Sequence, residues 1–96
     1  MTVSPKATVV GLVTPHLLRI VELANNAEKG ATVDWHVRDA VAKSMAEMGD
    51  QYNAAALVAA YVEGLENAAA RAPRAHQLYV GVLRSAAESA RRLRRD

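Results

Sequence analysis

The chain contains no cysteine, which excludes disulfides, thiolate ligands for a metal and a cysteine nucleophile, and which is consistent with a reducing cytoplasm. It also lacks phenylalanine, and its only aromatic residues are one tryptophan and three tyrosines. Most of the apolar side chains are therefore alanine and valine. Such small side chains favour close packing of helix backbones over bulky core layers.

Long apolar runs are absent as well. The stretch from Met1 to Pro5 lacks the basic segment and apolar core of a signal peptide, and no run approaches the roughly 20 apolar residues that cross a bilayer. We therefore expect a soluble cytoplasmic protein with no membrane partner. A chain of 96 residues is expected to form one domain. A domain this small buries a modest share of its surface, so association between copies is a source of further stability.

Charge is distributed unevenly along the chain, although the formal net charge is only +2. Residues 1–67 carry five basic and eight acidic side chains, whereas residues 68–96 carry seven arginines against Glu88 and Asp96. This basic C-terminal part is suited to an acidic protein surface or to nucleic acid. The alternative is structural, because arginines near a helix C-terminus also interact favourably with the helix dipole.

Apolar periodicity and capping residues predict an all-α fold, with at most a short N-terminal strand. Residues 1–6 are expected to be a flexible tail, and the β-branched segment 7–13 is the candidate strand. Thr14 and Pro15 then form a typical helix start, and Gly30 is a typical helix end. The four expected helices span about residues 15–29, 33–48, 51–71 and 74–94.

The second and fourth expected helices each carry an apolar stripe. The second, with Thr32 as its cap, has a stripe of Val33, Val37, Val41 and Met45, with Met48 nearby. The fourth has a stripe of Tyr79, Val82, Leu83, Ala86, Ala90 and Leu93. Pro73 separates the third helix from the fourth, because a residue before proline is disfavoured in the α conformation. The sequence leaves open whether Pro73 makes a tight corner or a kink.

The third expected helix is the most informative part of the chain. After an Asp50 cap, the twelve residues from Gln51 to Val62 include no formally charged side chain and are apolar on nearly every side. Such a helix must be covered all round. One small chain has few elements to cover it, so we expect a homodimer. Ala56, Ala60 and Gly64 recur at every fourth position and let another backbone approach closely, either within one subunit or between two.

The sequence has no pattern of catalytic or metal-binding residues. His16, His36 and His76 are far apart, and nucleophile motifs, phosphate-binding loops and paired carboxylates in an apolar setting are missing. We therefore expect a protein that is not an enzyme, that binds no cofactor or metal, and that has no small-molecule substrate.

Residues 7–48 resemble a ribbon–helix–helix DNA-binding domain. The matching pieces are the segment ATVVGLV, Thr14-Pro15 at the helix start, the turn Gly30-Ala31-Thr32 and the second helix VDWHVRDAVAKSM. The resemblance implies two intertwined chains whose paired strands enter the major groove. In this chain the strand lacks the Arg, Lys, Asn and Gln side chains that read base edges, which leaves Lys6 and Thr8 as its candidate contacts.

The sequence is therefore compatible with two functions. The first is a small regulatory protein that binds another protein, such as an anti-activator or adaptor that binds a transcription factor or its dimerisation surface. The alternative is a DNA-binding transcriptional repressor of ribbon–helix–helix type. Because the candidate strand lacks side chains that read base edges, protein binding is favoured over DNA binding.

Each function has its own candidate residues. Those expected at a partner or dimer interface are Trp35, Tyr52, Ala56, Ala60, Tyr61, Gly64, Tyr79, Val82 and Leu83. Those available for nucleic acid or another anion are Lys6, Thr8, Arg91, Arg92, Arg94 and Arg95. A structural alternative exists for some of them: Trp35 is as well suited to core packing, and Tyr52 and Tyr61 are most simply core residues whose hydroxyls reach the surface.

Overall fold

The computed structural model describes residues 5–94, with side chains from residue 9 onward. These residues form four α-helices and no strand, which confirms the all-α class. The helices are α1 (Pro5–Glu28), α2 (Asp34–Gly49), α3 (Ala54–Arg71) and α4 (Gln77–Leu93). Each helix packs against the other three.

One contiguous core lies between the four helices. Its largest fully buried side chains come from every helix and include Ile20, Met48, Leu57, Tyr61, Leu65 and Leu83. Small residues fill the remaining contacts, and Ala24, Ala86 and Ala90 are each fully buried where larger side chains would hold the helices apart. The alanine-rich composition is thus used for close helix packing, as predicted.

The valine stripe predicted on the second helix is confirmed, because Val33, Val37, Val41 and Met48 are buried and Met45 packs partly against the core. The stripe predicted on the fourth helix is confirmed from residue 79 to residue 90. Leu93 is an exception and is 50% exposed, since it is the last residue of α4 and lies beyond the reach of the core.

The N-terminal segment differs from the sequence interpretation. Residues 7–13 belong to α1 rather than to a strand, and α1 begins at Pro5, inside the predicted tail. Residues 1–4 of that tail lie outside the described residues. The physical reason is packing: Val13 is 1% exposed and continues the buried face of α1 that includes Ile20 and Ala24. Burial of a helical stripe thus outweighs the β-propensity of the local sequence.

Thr14 and Pro15 consequently do not start a helix. Pro15 lies inside α1, where it has no N–H to donate to the carbonyl of Gly11 four residues earlier. The Thr14 hydroxyl donates to the carbonyl oxygen of Val10 at 2.7 Å, which occupies one backbone acceptor in this interrupted turn.

Gly30 ends the first helix as predicted, with a φ of +104° that favours glycine. The Ala31 N–H donates to the Asn26 carbonyl at 3.0 Å, and the Gly30 N–H donates to the Ala27 carbonyl at 3.0 Å. These two bonds are those of a Schellman motif. They satisfy carbonyls that the helix end would otherwise leave without donors.

The starts of α2 and α3 correct two predicted caps. Val33 and Asn53 are the N-cap residues, and neither makes a side-chain capping bond. Thr32 lies one residue too early, and Asp50 instead ends α2. The Gln51 N–H donates to the Met48 carbonyl at 3.1 Å, so the backbone after α2 continues in a turn. That turn delays α3 to Ala54, three residues later than the sequence suggested.

Pro73 makes a corner between α3 and α4. Ala72 before it is extended, with φ −68° and ψ 145°, as expected for a residue that precedes proline. The His76 N–H donates to the Pro73 carbonyl at 3.0 Å and closes a turn. The fourth helix therefore begins at Gln77 instead of residue 74.

The N-terminus of α4 is capped by a side chain from another helix. A Glu28 carboxylate oxygen accepts a hydrogen bond from the Tyr79 backbone N–H at 3.1 Å. Tyr79 is in the first turn of α4, where N–H groups lack partners within the helix and the helix dipole favours a negative charge. The local sequence of α4 contains no sign of this cap, because the capping residue is 51 positions away.

We expect Glu28→Gln to lower the free energy of unfolding by about 0.5–1 kcal/mol, because the amide retains the hydrogen bond but loses the charge at the helix terminus. Urea unfolding of the two proteins measures the difference. Glu22→Gln, an exposed change on the same helix, is the control and should have almost no effect. An equal decrease in the free energy of unfolding in the two variants would contradict the capping role of Glu28.

Candidate protein-binding surfaces

An apolar groove lies between the N-terminal half of α1 and α3. Its volume is about 550 Å³, and it is lined by Val9, Val10, Val13, Leu17, Ala56, Ala60, Glu63, Gly64 and Asn67. Among the described residues of this lining, Glu63 is the only charged one. We call this surface the apolar groove. The apolar groove is open to solvent, because the apolar side chain of Val10, which lines it, is 54% exposed.

The small residues predicted on the third helix form one wall of the apolar groove, and they divide into two groups. A Cβ added at Gly64 would lie 2.7 Å from a terminal methyl carbon of Leu17, so the glycine lets α1 pack onto the backbone of α3 within the chain. Ala56 is exposed and Ala60 is half-buried. These two alanines leave their part of the stripe open to a further helix.

The other residues predicted for the interface have different surroundings. Tyr61 and Leu83 are 0% exposed and are core residues of the chain itself. Tyr79 and Val82 are half-buried against the same core. Tyr52 is 99% exposed, in the turn before α3, because α3 begins later than the sequence indicated.

Trp35 also lies on the surface. It is 65% exposed and stacks on His36, with ring centroids 3.7 Å apart and an interplanar angle of 31°. Of the two environments considered for this tryptophan, the structure selects the surface. An exposed aromatic side chain of this size is a common anchor in protein interfaces.

A partly buried polar network joins α1 and α2. His16 Nδ1 is 2.8 Å from Ser44 Oγ, and His16 Nε2 is 3.7 Å from a Glu47 carboxylate oxygen. The residue types match those of a serine hydrolase triad, but Ser44 is 0% exposed, so its hydroxyl cannot meet a substrate. The distance to Glu47 is also too long for a hydrogen bond. This arrangement gives a buried serine a hydrogen-bond partner and joins α1 to α2.

The Tyr61 hydroxyl lies beside Ser44 but makes no hydrogen bond of normal geometry. Burial raises the pKa of Tyr61 to about 12, because desolvation disfavours the charged tyrosinate. The hydroxyl of Ser44 and the positive charge of Arg19 oppose the shift. A buried hydroxyl with poor hydrogen bonding adds little stability, so the ring of Tyr61, rather than its oxygen, holds the residue in place.

The arginines predicted to bind an anion are partly occupied within the chain. Arg91 forms an ion pair with Glu66, and Arg92 pairs with Glu88 at 2.6 Å. Arg94 is exposed, and Arg95 lies outside the described residues. Lys6 and Thr8 belong to α1, but their side chains are outside the described part of the chain.

The histidines are dispersed in the structure as they are in the sequence. His16 is in the polar network, His36 stacks on Trp35, and His76 is the N-cap residue of α4. Within residues 5–94 no three acidic or histidine side chains are grouped closely enough to hold a metal ion. None of the helices described is both long and apolar enough to cross a membrane.

Comparison with known proteins finds no family model, no curated protein and no solved structure that matches this chain. The surfaces of the chain itself are therefore the basis on which its function is inferred. Two apolar features of this surface are the apolar groove and the exposed Trp35.

Proposed function

We propose that this chain is a small non-enzymatic regulatory protein that acts by binding other proteins, and that it does so as a homodimer. Its role is that of an adaptor or anti-activator, for example one that binds a transcription factor or its dimerisation surface. The observation that carries the proposal is the apolar groove, because an open apolar surface on a small domain is the usual mark of an interaction site.

The apolar groove is suited to a second copy of the chain. It combines a protruding apolar side chain, Val10 on α1, with the small side chains of Ala56 and Ala60 on α3. A two-fold axis brings the same patch of each subunit onto its counterpart. The α1 ridge of one subunit then packs against the alanines of the other, and the reverse contact forms at the same time.

The alternative proposal is a ribbon–helix–helix repressor, which needs residues 7–13 to pair as strands between two copies. The helical conformation of this segment and the burial of Val13 at 1% exposure support protein binding over that alternative. The pairing of Arg91 and Arg92 with carboxylates also reduces the positive charge that DNA binding would use.

The homodimer is tested by introducing a charge into the apolar groove. We expect Ala56→Glu to weaken self-association by at least about 100-fold, because an uncompensated buried carboxylate costs roughly 3 kcal/mol or more. Ala56 is exposed in the single chain, so the fold should be retained. Sedimentation equilibrium over a range of concentrations measures the association, and circular dichroism checks the fold.

The matched control is Ala55→Glu. Ala55 is also exposed on α3, and it is not among the residues that line the apolar groove. This variant should associate like the unmodified protein. An unmodified protein that stays monomeric at every concentration, or an Ala56→Glu variant that remains dimeric, would contradict the homodimer.

A further inference from the structure

A second groove runs along the outer side of the contact between α3 and α4. One part, of about 500 Å³, is lined by Ala69, Ala70, Ala72, Arg74, Gln77, Val80, Gly81 and Arg84. The adjoining part, of about 550 Å³, shares Ala69, Ala70 and Arg84 and continues to Glu66, Ala87, Glu88 and Arg91. We call the first part the arginine groove. Its floor is small and apolar, and its walls carry two guanidinium groups.

Two arginines of the arginine groove have no ion pair among the described side chains. None of the ion pairs formed by residues 9–94 involves Arg74 or Arg84, and no carboxylate is among the described residues that line the arginine groove. In the neighbouring part, which Arg84 also lines, Glu66 and Glu88 pair with arginines of α4. Arg74 and Arg84, which precede the C-terminal arginines in the sequence, are both exposed and available to an anionic partner.

We propose that the arginine groove binds an acidic segment of a partner protein. Two carboxylates of that segment would bind Arg74 and Arg84, because the planar guanidinium group matches a carboxylate with two parallel hydrogen bonds. Apolar side chains between those carboxylates would lie on the floor formed by Ala69, Ala70 and Gly81. The arginine groove therefore recognises a pattern of acidic and apolar residues, and not charge alone.

The surroundings of the groove favour an acidic peptide over nucleic acid. Duplex DNA carries one negative charge about every 1.7 Å along its axis, so it needs a continuous row of basic side chains. Here the carboxylates of Glu66 and Glu88 line the continuation of the same groove and would meet the next phosphates. A short peptide with two acidic residues needs only the two guanidinium groups of Arg74 and Arg84.

This inference supplies the chemistry of the partner in the proposed function and rests on that proposal for its regulatory role. The two surfaces are separate, since no residue lines both the apolar groove and the arginine groove. Loss of the homodimer would leave the arginine groove unchanged. The Ala56→Glu variant should therefore bind an acidic peptide as well as the unmodified protein does.

The test uses a fluorescently labelled helical peptide with glutamate at every fourth position and alanine or leucine between. A second peptide has glutamine in place of every glutamate, and a labelled DNA duplex is the third probe. Fluorescence anisotropy measures binding to the full chain. We expect Arg74→Gln and Arg84→Gln each to weaken binding of the glutamate peptide by about tenfold or more, because each removes a charged hydrogen bond.

The control variant is Arg38→Gln, which removes an exposed arginine of α2 and changes the net charge by the same amount. It should alter binding by less than about twofold, since Arg38 does not line the arginine groove and the charge of an exposed side chain is screened by salt. The glutamine peptide should bind at least about tenfold more weakly than the glutamate peptide. The inference would be overturned if Arg38→Gln and Arg84→Gln lost the same affinity for the glutamate peptide. It would also be overturned if the two peptides bound equally well, or if the chain bound DNA in preference to the glutamate peptide.

Discussion

Tyr61→Ala is expected to lower the free energy of unfolding by about 4 kcal/mol, which is typical for removal of a large buried aromatic side chain. Tyr61→Phe is expected to change it by less than about 1 kcal/mol. The difference arises because the ring is 0% exposed in the core, whereas the hydroxyl interacts with Ser44 but makes no hydrogen bond of normal geometry. Removal of the ring, and not of the hydroxyl, should therefore destabilise the fold.

The same residue makes stability depend on pH in alkaline solution. Because the pKa of Tyr61 is raised from 10.0 to about 12, the unfolded chain loses the proton first as the pH rises. The stabilising contribution is present below pH 10 and is lost between pH 10 and 12, at about 1.4 kcal/mol per pH unit. Tyr61→Phe should not show this loss.

Chemical denaturation of the three proteins at neutral pH, and of the unmodified protein and Tyr61→Phe between pH 9 and about 11, measures both effects. Exposed Tyr52 provides the control, because Tyr52→Phe should alter the free energy of unfolding by less than about 0.5 kcal/mol. If Tyr61→Phe lost as much stability as Tyr61→Ala, the hydroxyl rather than the ring would hold this residue in the core, and the account of Tyr61 would be wrong.

Pro15→Ala is expected to stabilise the chain by about 2 kcal/mol. A proline inside a helix costs about 3 kcal/mol relative to alanine, and part of the gain is lost because the unfolded chain becomes more flexible. Pro15 is exposed and lies within α1, so alanine meets no core side chain there. Its N–H becomes available to the Gly11 carbonyl. The midpoint temperature of thermal unfolding and the helical circular dichroism signal should both increase.

This substitution distinguishes a continuous α1 from a helix that begins at Pro15. Proline at the first position of a helix is favourable, so in that case alanine would leave stability unchanged or reduce it. Pro73→Ala is the matched control. Pro73 lies in the corner between α3 and α4, outside any helix, and we expect its replacement to lower the free energy of unfolding by about 0.5–1 kcal/mol. The expected result is that the free energy of unfolding rises in Pro15→Ala and falls in Pro73→Ala.

Local sequence signals were sufficient to predict the structure at positions where interactions between neighbouring residues decide it. Gly30 ends α1 because its positive φ and the bonds of the Schellman motif involve only neighbouring residues. The extended conformation of Ala72 follows from Pro73 alone. The valines of α2 are buried on one face because their four-residue spacing matches the helical repeat. The number of helices and the apolar faces of α2 and α4 could therefore be predicted.

Local signals failed where a distant contact decides between two acceptable conformations. Thr14-Pro15 is a good helix start, but Val13 before it gains more by continuing the buried face of α1. Asp50 is a good cap, but the backbone after α2 forms a turn first. The capping of α4 by Glu28 and the meeting of His16 with Ser44 join residues that are 51 and 28 positions apart. A pattern along the chain contains no information about such pairs.

The sequence by itself determined the all-α class, because helical periodicity and turn residues are local properties that the chain carries wherever it folds. It also indicated the small-residue wall of α3 that lines the apolar groove. Only the tertiary structure decided which residues remain open to a partner: it placed Tyr61 in the core and Trp35 on the surface, and it paired Arg91 with Glu66 while leaving Arg84 without a carboxylate. The physical reason is that exposure and charge compensation depend on how the helices pack against one another, which no single helix specifies.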